Sequence, residues 1–374
     1  MAGAKGKGRK EEENEERGWS RMRAAIIGTG GIAGVHARAL RALGHTVAAV
    51  VSRTQSGAEA FAREYAGAGA AAGTAMETAL SDGIDAVHIC TPPALHGAAV
   101  RACLNAGKHI VCEKPLCLAA AEAESLAALA AERALVAALC LNVRYYPANR
   151  AAAERLRSGG EGRPLLIHGE YLQSFHAPPH DDGWRFDPAL GGHMRAITEI
   201  GTHWADLATF WTGLRIEAVC AATGNFYPTR YRHGRQLTLE ENDRPVTTDT
   251  EDAAAVVLRF ENGAIGTVLL SEVSRGHGND LSLEVACENG STAWREAQPD
   301  ALLVADGAGM ARETFSPVPR EDTFLPLFEA AYADMARPAQ RRAGGYPTFS
   351  DGAYLARVCE AMQKSALDGC WTRV

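Results

Sequence analysis

No run of apolar residues in this sequence approaches the length that crosses a bilayer. The opening MAGAKGKGRKEEENEERG also lacks the apolar core of a secretory signal, so no membrane role and no export are expected. Positive charge is not in excess: 38 Lys and Arg stand against 45 Asp and Glu, a formal net charge of −7. That balance argues against a nucleic-acid partner or an anionic-membrane surface. The nine cysteines form no C-x-x-C pair and no regular framework. They exclude neither fold nor function, but they read as buried thiols of a reducing, cytoplasmic compartment rather than as disulfides or a zinc site. No internal repeat is present. What remains is an ordinary globular composition, 47% hydrophobic and 22% charged, in 374 residues. This length exceeds one ordinary core, and two domains are expected.

The stretch that organises the chain is RAAIIGTGGIAGVHARALRALGHTVAAVVSR, from Arg23 to Arg53. A short apolar run (Ala24 to Ile27) breaks at Gly28-Thr29-Gly30-Gly31, a helical pattern follows through Leu43, and a second apolar run spans Thr46 to Val51. A strand, glycine turn, helix and strand place backbone N–H groups and the positive end of the helix dipole where a pyrophosphate can sit. Gly28 and Gly30 permit the tight turn and close approach, and Ala33 holds the third position of G-x-G-x-x-G, as the motif allows. The competing reading is that these glycines serve the turn alone. Beyond the second strand stands Ser52-Arg53, where an NAD enzyme of this design presents an acid to the ribose 2′-hydroxyl. Without that carboxylate, and with Arg53 able to pair with a 2′-phosphate, NADP is favoured over NAD. Arg53 could instead cover the adenine.

Residues 1–21, a Gly/Lys block beside a Glu block, cannot bury apolar area and read as a disordered tail. Strand and helix then alternate: a helix near Gln55 to Tyr65, strand Ala86 to Cys90, helix Leu95 to Ala106, strand His109 to Cys112, helix Leu118 to Arg133 and strand Leu135 to Leu141. Alternation of this kind predicts an α/β domain over 22–146, a parallel doubly wound sheet of Rossmann type. The alanine-rich stretch Ala66 to Ala75 reads as a loop and weak strand. From 147 to 374 the pattern predicts an α+β domain with a large, mostly antiparallel open sheet. Its strands are Leu165 to Gln173, Arg215 to Ala222, Ala253 to Phe260, Ala264 to Glu272 and Leu281 to Cys287, with hairpin turns at Asn262-Gly263 and Asn289-Gly290. Helices are expected near Ile197 to Trp211, Phe324 to Ala336 and Asp351 to Leu367, the last two able to pack back on the first domain.

Two places carry candidate chemistry. The strand Ile110-Val111-Cys112 ends in Glu113-Lys114-Pro115, so Lys114 stands at a carboxyl end, where ligands of doubly wound sheets bind; the plain alternative is a surface lysine. Helical spacing puts Glu199, His203 and Asp206 on one face. A carboxylate beside an imidazole fixes its tautomer and raises its basicity, which suits proton transfer. The same three residues also fit a solvated polar face or a metal site. His176 and His180 have ligand-like spacing, but Pro178-Pro179 between them forbids a helix, and no metal is expected.

GTGGIAGVHARAL, DAVHICTPPALH, AGKHIVCEKPL, NVRYYP and EIGTHWADL, in that order, resemble the Gfo/Idh/MocA family of NAD(P)-dependent sugar and polyol oxidoreductases over about residues 22 to 374. The resemblance implies that Lys114 and His203 are catalytic, with Glu199 where most members have Asp. It implies cofactor contacts from Gly28, Thr29, Gly30, Gly31, Ile32, Ala33, Ser52, Arg53, Cys90, Thr91, Pro92, His96, Glu113, Lys114, Asn142, Arg144, Trp184 and Arg185. Lys114, Tyr171, Gln173, Arg185, Glu199 and His203 are the implied substrate contacts. Gly191-Gly192 and Tyr171-Leu172-Gln173 are similar to a branch acting on glycosides or modified sugars, with Ser174 where Asp is common. The implied activity is hydride transfer between nicotinamide and a carbinol or ketone carbon of a sugar, glycoside, amino-sugar or cyclitol. In oxidation His203 would take the hydroxyl proton, Lys114 would hold the developing alkoxide and Glu199 would orient the pair. The second domain's sheet would cover the site on one face and build a homo-oligomer, a dimer or tetramer, with the other. Two other readings are a non-catalytic sugar or cofactor sensor and a sugar–sugar oxidoreductase with non-dissociating NADP.

Overall fold

The computed structural model describes residues 21–67, 69–177, 183–234, 236–241 and 243–374; residues 1–20 and His180 lie outside the described residues. Two compact units emerge. Residues 21–117, 121–142 and 320–353 form the first; 118–120, 143–319 and 354–374 form the second. The chain passes between them at Asn142/Val143 and returns to the first unit for 320–353.

The first unit is built on a six-stranded sheet of β1 (Arg23–Ile27), β2 (Thr46–Val51), β3 (Ala71–Gly73), β4 (Ala86–Ile89), β5 (His109–Cys112) and β6 (Ala137–Leu139). All pairings are parallel, in the order β3-β2-β1-β4-β5-β6. Nearly every residue of β1, β2, β4 and β5 is buried, the signature of strands covered on both faces. The alanine-rich stretch supplies only the three-residue edge strand β3. The direction of winding reverses between β1 and β4, so the crevice beyond their carboxyl ends is where such a sheet binds a ligand. The helix Phe324–Met335 packs on the helix Gly31–Ala42. Four-residue spacing places its Phe324, Phe328 and Tyr332 on one buried face.

In the second unit β7 (Pro164–Leu172), β8 (Ile216–Gly224), β12 (Ala253–Phe260), β13 (Ile265–Ser271), β14 (Asp280–Cys287), β15 (Ser291–Arg295), β16 (Ala301–Asp306), β17 (Gly309–Thr314) and β18 (Thr372–Arg373) make one sheet. Its order is β17-β16-β15-β14-β7-β13-β12-β8-β18. Both expected hairpins form, joining β12 to β13 and β14 to β15. One pair is parallel, because β7 lies between strands that follow it by about a hundred residues and runs alongside β13. Burial alternates along β12 and β13, leaving one face exposed. The helix Thr202–Thr212 packs on β7 and β14. Its Trp204 donates to the Ser282 carbonyl at 3.0 Å across Gly169, where a Cβ would lie 2.0 Å from that oxygen. Only glycine admits the helix this closely. The structure adds a helix at Pro147–Arg157 and a small sheet of β9 (Thr229–His233), β10 (Gln236–Thr238) and β11 (Arg244–Thr247), ordered β10-β9-β11. No described helix is long and apolar enough to cross a membrane.

Candidate functional site

Within the first unit, three turns meet the carboxyl ends of β1, β4 and β5. Gly28 closes β1 with φ +97°, and a Cβ there would lie 2.5 Å from the Cys90 carbonyl oxygen. The turn after β1 is thereby packed on the turn after β4, a fit only glycine allows. Gly30 and Gly31 are the opposite case: they are exposed, and a Cβ at either meets nothing within 4 Å. Gly30 caps the helix Gly31–Ala42, whose first turn carries no acidic residue. An anion is therefore drawn to its N–H groups without a competing charge. Ile32 is half-buried and Ala33 fully buried against the unit's interior. Thr29 Oγ1 and Ser52 Oγ are 2.9 Å apart, tying the glycine turn to the end of β2, and Arg53 beside them is exposed. Cys90 is buried, Pro92 half-buried, and Thr91 Oγ1 is buried without a hydrogen-bond partner among the described residues. An open glycine cradle with an orphaned hydroxyl at its rim fits a dinucleotide.

Lys114 follows β5 and is half-buried, in a turn braced twice. Glu113 Oε2 accepts from the Lys114 backbone N–H at 3.2 Å. His96, fully buried, has Nδ1 2.8 Å from the Pro115 carbonyl oxygen and Nε2 2.7 Å from that of Thr91. Burial lowers its pKa while both carbonyls pull it up. The sequence placed His96 and Glu113 among the cofactor contacts. The structure turns both side chains inward, His96 to the backbone and Glu113 Oε1 to His36 Nε2 at 3.1 Å. Asn142 is likewise buried, its amide donating to Thr323 Oγ1 at 2.8 Å. His36, Glu113 and Cys140 hold ligand atoms within 4.8 Å of one another, a grouping the sequence did not suggest.

In the second unit, Glu199 lies in a π-helical turn, Ile197–Gly201, that runs into the helix bearing His203 and Asp206. The wider turn disrupts the even spacing assumed from sequence, and π turns often mark functional positions. Each carboxylate has an arginine: Arg185 Nε donates to Glu199 Oε2 at 3.1 Å, and Arg144 grips Asp206 with two N–H groups, Nε at 2.7 Å. The three residues thus do not converge as a metal set, and the Arg144 fork is spent on Asp206. His203 is buried, its ring 6.3 Å from that of Tyr171. Tyr171 donates to Asn279 Oδ1 at 3.0 Å and Gln173 shares the same oxygen. Ser174 Oγ donates to the His277 carbonyl. Gly192, at φ +81°, meets Leu118 wherever a Cβ is added.

Trp184 and Arg185 are held from behind. The guanidinium of Arg185 lies over the Trp184 ring at 4.3 Å, and the next residue, Phe186, sits between Arg195 at 4.3 Å and Arg230 at 4.2 Å. Both of these arginines are buried and share Asp252; Arg195 also donates to Glu272 at 2.7 Å. Glu251 Oε1 accepts from the N–H groups of Arg195 and Ile197 at 2.9 and 2.8 Å, and burial pushes its pKa up to about 7. The sequence missed this knot and Asn279. Acids and arginines some fifty residues apart carry no local period, although charged residues flanking apolar strands were a visible hint.

Residues 22–139 match the model of the oxidoreductase family's NAD-binding Rossmann fold, and residues 149–293 that of the GFO/IDH/MocA C-terminal domain. The chain is 32% identical over 335 residues to 1,5-anhydro-D-fructose reductase of Ensifer adhaerens, covering 88% of this chain and 93% of that one. It is 28% identical over 314 residues to levoglucosan dehydrogenase of Pseudarthrobacter phenanthrenivorans, covering 78% and 80%. A solved structure of levoglucosan dehydrogenase in complex with NADH and L-sorbose shares the fold at a TM-score of 0.86 and 24% identity, covering 95% of this chain and 99% of that one. With both of its domain models matched in order and a full-length reductase above 30% identity, the chain belongs to the Gfo/Idh/MocA family of NAD(P)-dependent oxidoreductases.

Proposed function

We propose that this enzyme moves hydride between NADP, in preference to NAD, and a carbinol or ketone carbon of a sugar, anhydrosugar or cyclitol. The observation that carries the reading is the pairing, in one unit, of an open glycine cradle with a lysine on a doubly braced turn at the adjoining strand end. The nucleotide, when bound, supplies the hydride acceptor or donor. The protein positions it and manages one proton. In oxidation His203 takes the hydroxyl proton, and the Lys114 ammonium stabilises charge developing on the substrate oxygen; reduction reverses both roles. Arg185, fixed by Glu199 and by the clamped Phe186, presents a donor to substrate hydroxyls, and the amide of Gln173 holds Tyr171 and Asn279 beside it. Glu199 thus acts by holding Arg185.

The NADP preference rests on Ser52, Arg53 and the absence of an acid beside them; the relative's complex with NADH leaves that question to these residues. Relatives named for levoglucosan, 1,5-anhydro-D-fructose and myo-inositol support the substrate class. The exposed face of the second sheet supports a homo-oligomer. Leu166, Val257, Ile265 and Leu269 adjoin on it through the register of β7, β13 and β12, each more than two-fifths exposed. A panel of anhydrosugars, aldoses and inositols with NADP and NAD, followed by nicotinamide absorbance, tests the reading. Turnover of one of these with NADP is expected, and nucleotide binding without turnover of any of them would refute it.

A further inference from the structure

Behind Lys114 lies a buried polar chain that the mechanism above does not use. His36 and His88 are fully buried, Tyr332 is 1% exposed and Glu113 9%. Glu113 Oε1 is 3.1 Å from His36 Nε2, His36 Nδ1 is 2.9 Å from His88 Nδ1, and His88 Nε2 is 2.9 Å from the Tyr332 hydroxyl. Phe328 stands edge-on to both imidazoles, with centroids at 4.8 and 5.0 Å. The group is otherwise lined by Phe324 and by the thiols of Cys90 and Cys140.

With Glu113 ionised and one proton on His36, the order of donors is set. The carboxylate only accepts, so His36 donates from Nε2 and accepts at Nδ1. His88 must then donate from Nδ1 and accept at Nε2, and the Tyr332 hydroxyl supplies that last proton. Burial favours the neutral His88 and the protonated Tyr332 that this order needs. In this order each ring nitrogen of His36 and His88 meets a partner of the opposite kind. A carboxylate in such surroundings is costly unless it is fixed by donors, and here donors approach both of its oxygens.

We propose that Tyr332, His88 and His36 form a polarised hydrogen-bond relay that fixes Glu113 as an oriented anion, and that Glu113 is the positioning residue for Lys114. Glu113 Oε2 holds the Lys114 N–H, and His96 holds the following residue's carbonyl. The Lys114 side chain therefore leaves from a backbone fixed on both sides. This inference rests on the reading of Lys114 as catalytic.

Glu113→Gln keeps the shape and removes the charge, and an amide cannot accept at both ends. In two-bond 15N–1H spectra the wild type should show His36 protonated on Nε2 and His88 on Nδ1, and the variant should lose this single pattern. Amide exchange at Lys114 should quicken at least tenfold while that of Val111 in β5 stays within twofold. On the fastest sugar of the panel, kcat per nucleotide-binding site should fall at least tenfold with KM for NADP within threefold. Added to Lys114→Met, the substitution should cost nothing further. The opposite tautomers, unchanged Lys114 exchange, kcat within twofold, a further loss on the Lys114→Met background, or a stoichiometric divalent ion in the purified protein would each overturn the relay. Turnover surviving Lys114→Met would instead overturn the catalytic reading, leaving the tautomers and the exchange to judge the relay.

Discussion

Two glycines of one turn should respond to alanine in opposite ways. At Gly30 the added methyl meets nothing within 4 Å, and φ −76°, ψ 178° is a conformation alanine adopts freely. The fold should be unaffected, or gain about 0.4–1 kcal/mol from the stiffer unfolded chain. Nucleotide binding should suffer. Gly30 caps the helix Gly31–Ala42, and a pyrophosphate oxygen must come within about 2.9 Å of the first N–H groups, which a methyl in that space prevents. Losing one or two charge-assisted hydrogen bonds, each worth about 1.5–3 kcal/mol, weakens Kd by roughly 10- to 100-fold or more. At Gly28 the cost falls on the fold itself. A Cβ would sit 2.5 Å from the Cys90 carbonyl oxygen and 2.7 Å from its carbon, both backbone atoms, at φ +97°. Left-handed strain of about 1–2 kcal/mol and overpacking of about 1–3 kcal/mol together take roughly 2–5 kcal/mol from stability. Thermal melts without nucleotide and NADPH fluorescence titrations separate the two effects. A Gly30→Ala protein that binds NADPH as wild type would refute the cradle, and equal losses of Tm in the two variants would refute the steric argument.

Ser52→Asp should shift the ratio of kcat/KM for NADP over NAD at least tenfold toward NAD; a wild type with the lower KM for NAD would refute the argument from Ser52. Acid should weaken the first unit through His45, whose pKa burial lowers to about 4, with Asp85 opposing; its Nδ1 accepts from the Met22 N–H. Between pH 6.5 and about 4 the unfolded chain binds a proton that the folded state refuses. Stability should therefore fall with pH across that window, by at most about 3 kcal/mol, and His45→Phe should flatten the fall in denaturant melts. Glu251 has the opposite sign. Its raised pKa makes the second unit lose stability as pH rises from about 4.5 to about 7, and Glu251→Gln should remove that slope. Ile265→Asp, on the exposed sheet face, should lower the mass seen by light scattering and leave the melting curve of the subunit intact.

The first unit was legible because its strands are short apolar runs separated by glycine turns and helical periods, a local code. Gly28 and Lys114 could be placed from that code alone, since a parallel sheet brings strand ends together whatever the helices contain. In the second unit the elements were legible but their pairing only where hairpins are local: Asn262-Gly263 and Asn289-Gly290 join neighbouring strands, whereas the insertion of β7 beside β13 is a pairing across a hundred residues. Even spacing failed at Glu199, where a π turn changes the helix's step and Arg185 takes the carboxylate. His36 and His88 were hidden differently. Each is one polar residue within an apolar pattern, and its partner Tyr332 comes from a helix 244 residues beyond His88. Nothing in the local period points to it, yet a histidine in the middle of a buried strand needs a partner, and that need was readable.

In the proposed mechanism the Lys114 ammonium meets the charge that develops on the reacting oxygen, and Lys114→Met takes it away. The substitution keeps most of the side-chain volume and removes the ammonium, so the melting curve and NADPH affinity should stay close to wild type. Single-turnover hydride transfer on the fastest sugar of the panel should slow by about 10² to 10⁴, or roughly 3 to 5 kcal/mol of transition-state stabilisation. A folded, NADPH-binding Lys114→Met enzyme that transfers hydride within about tenfold of the wild-type rate would rule out this role for Lys114, since no group holding the developing alkoxide could be so dispensable.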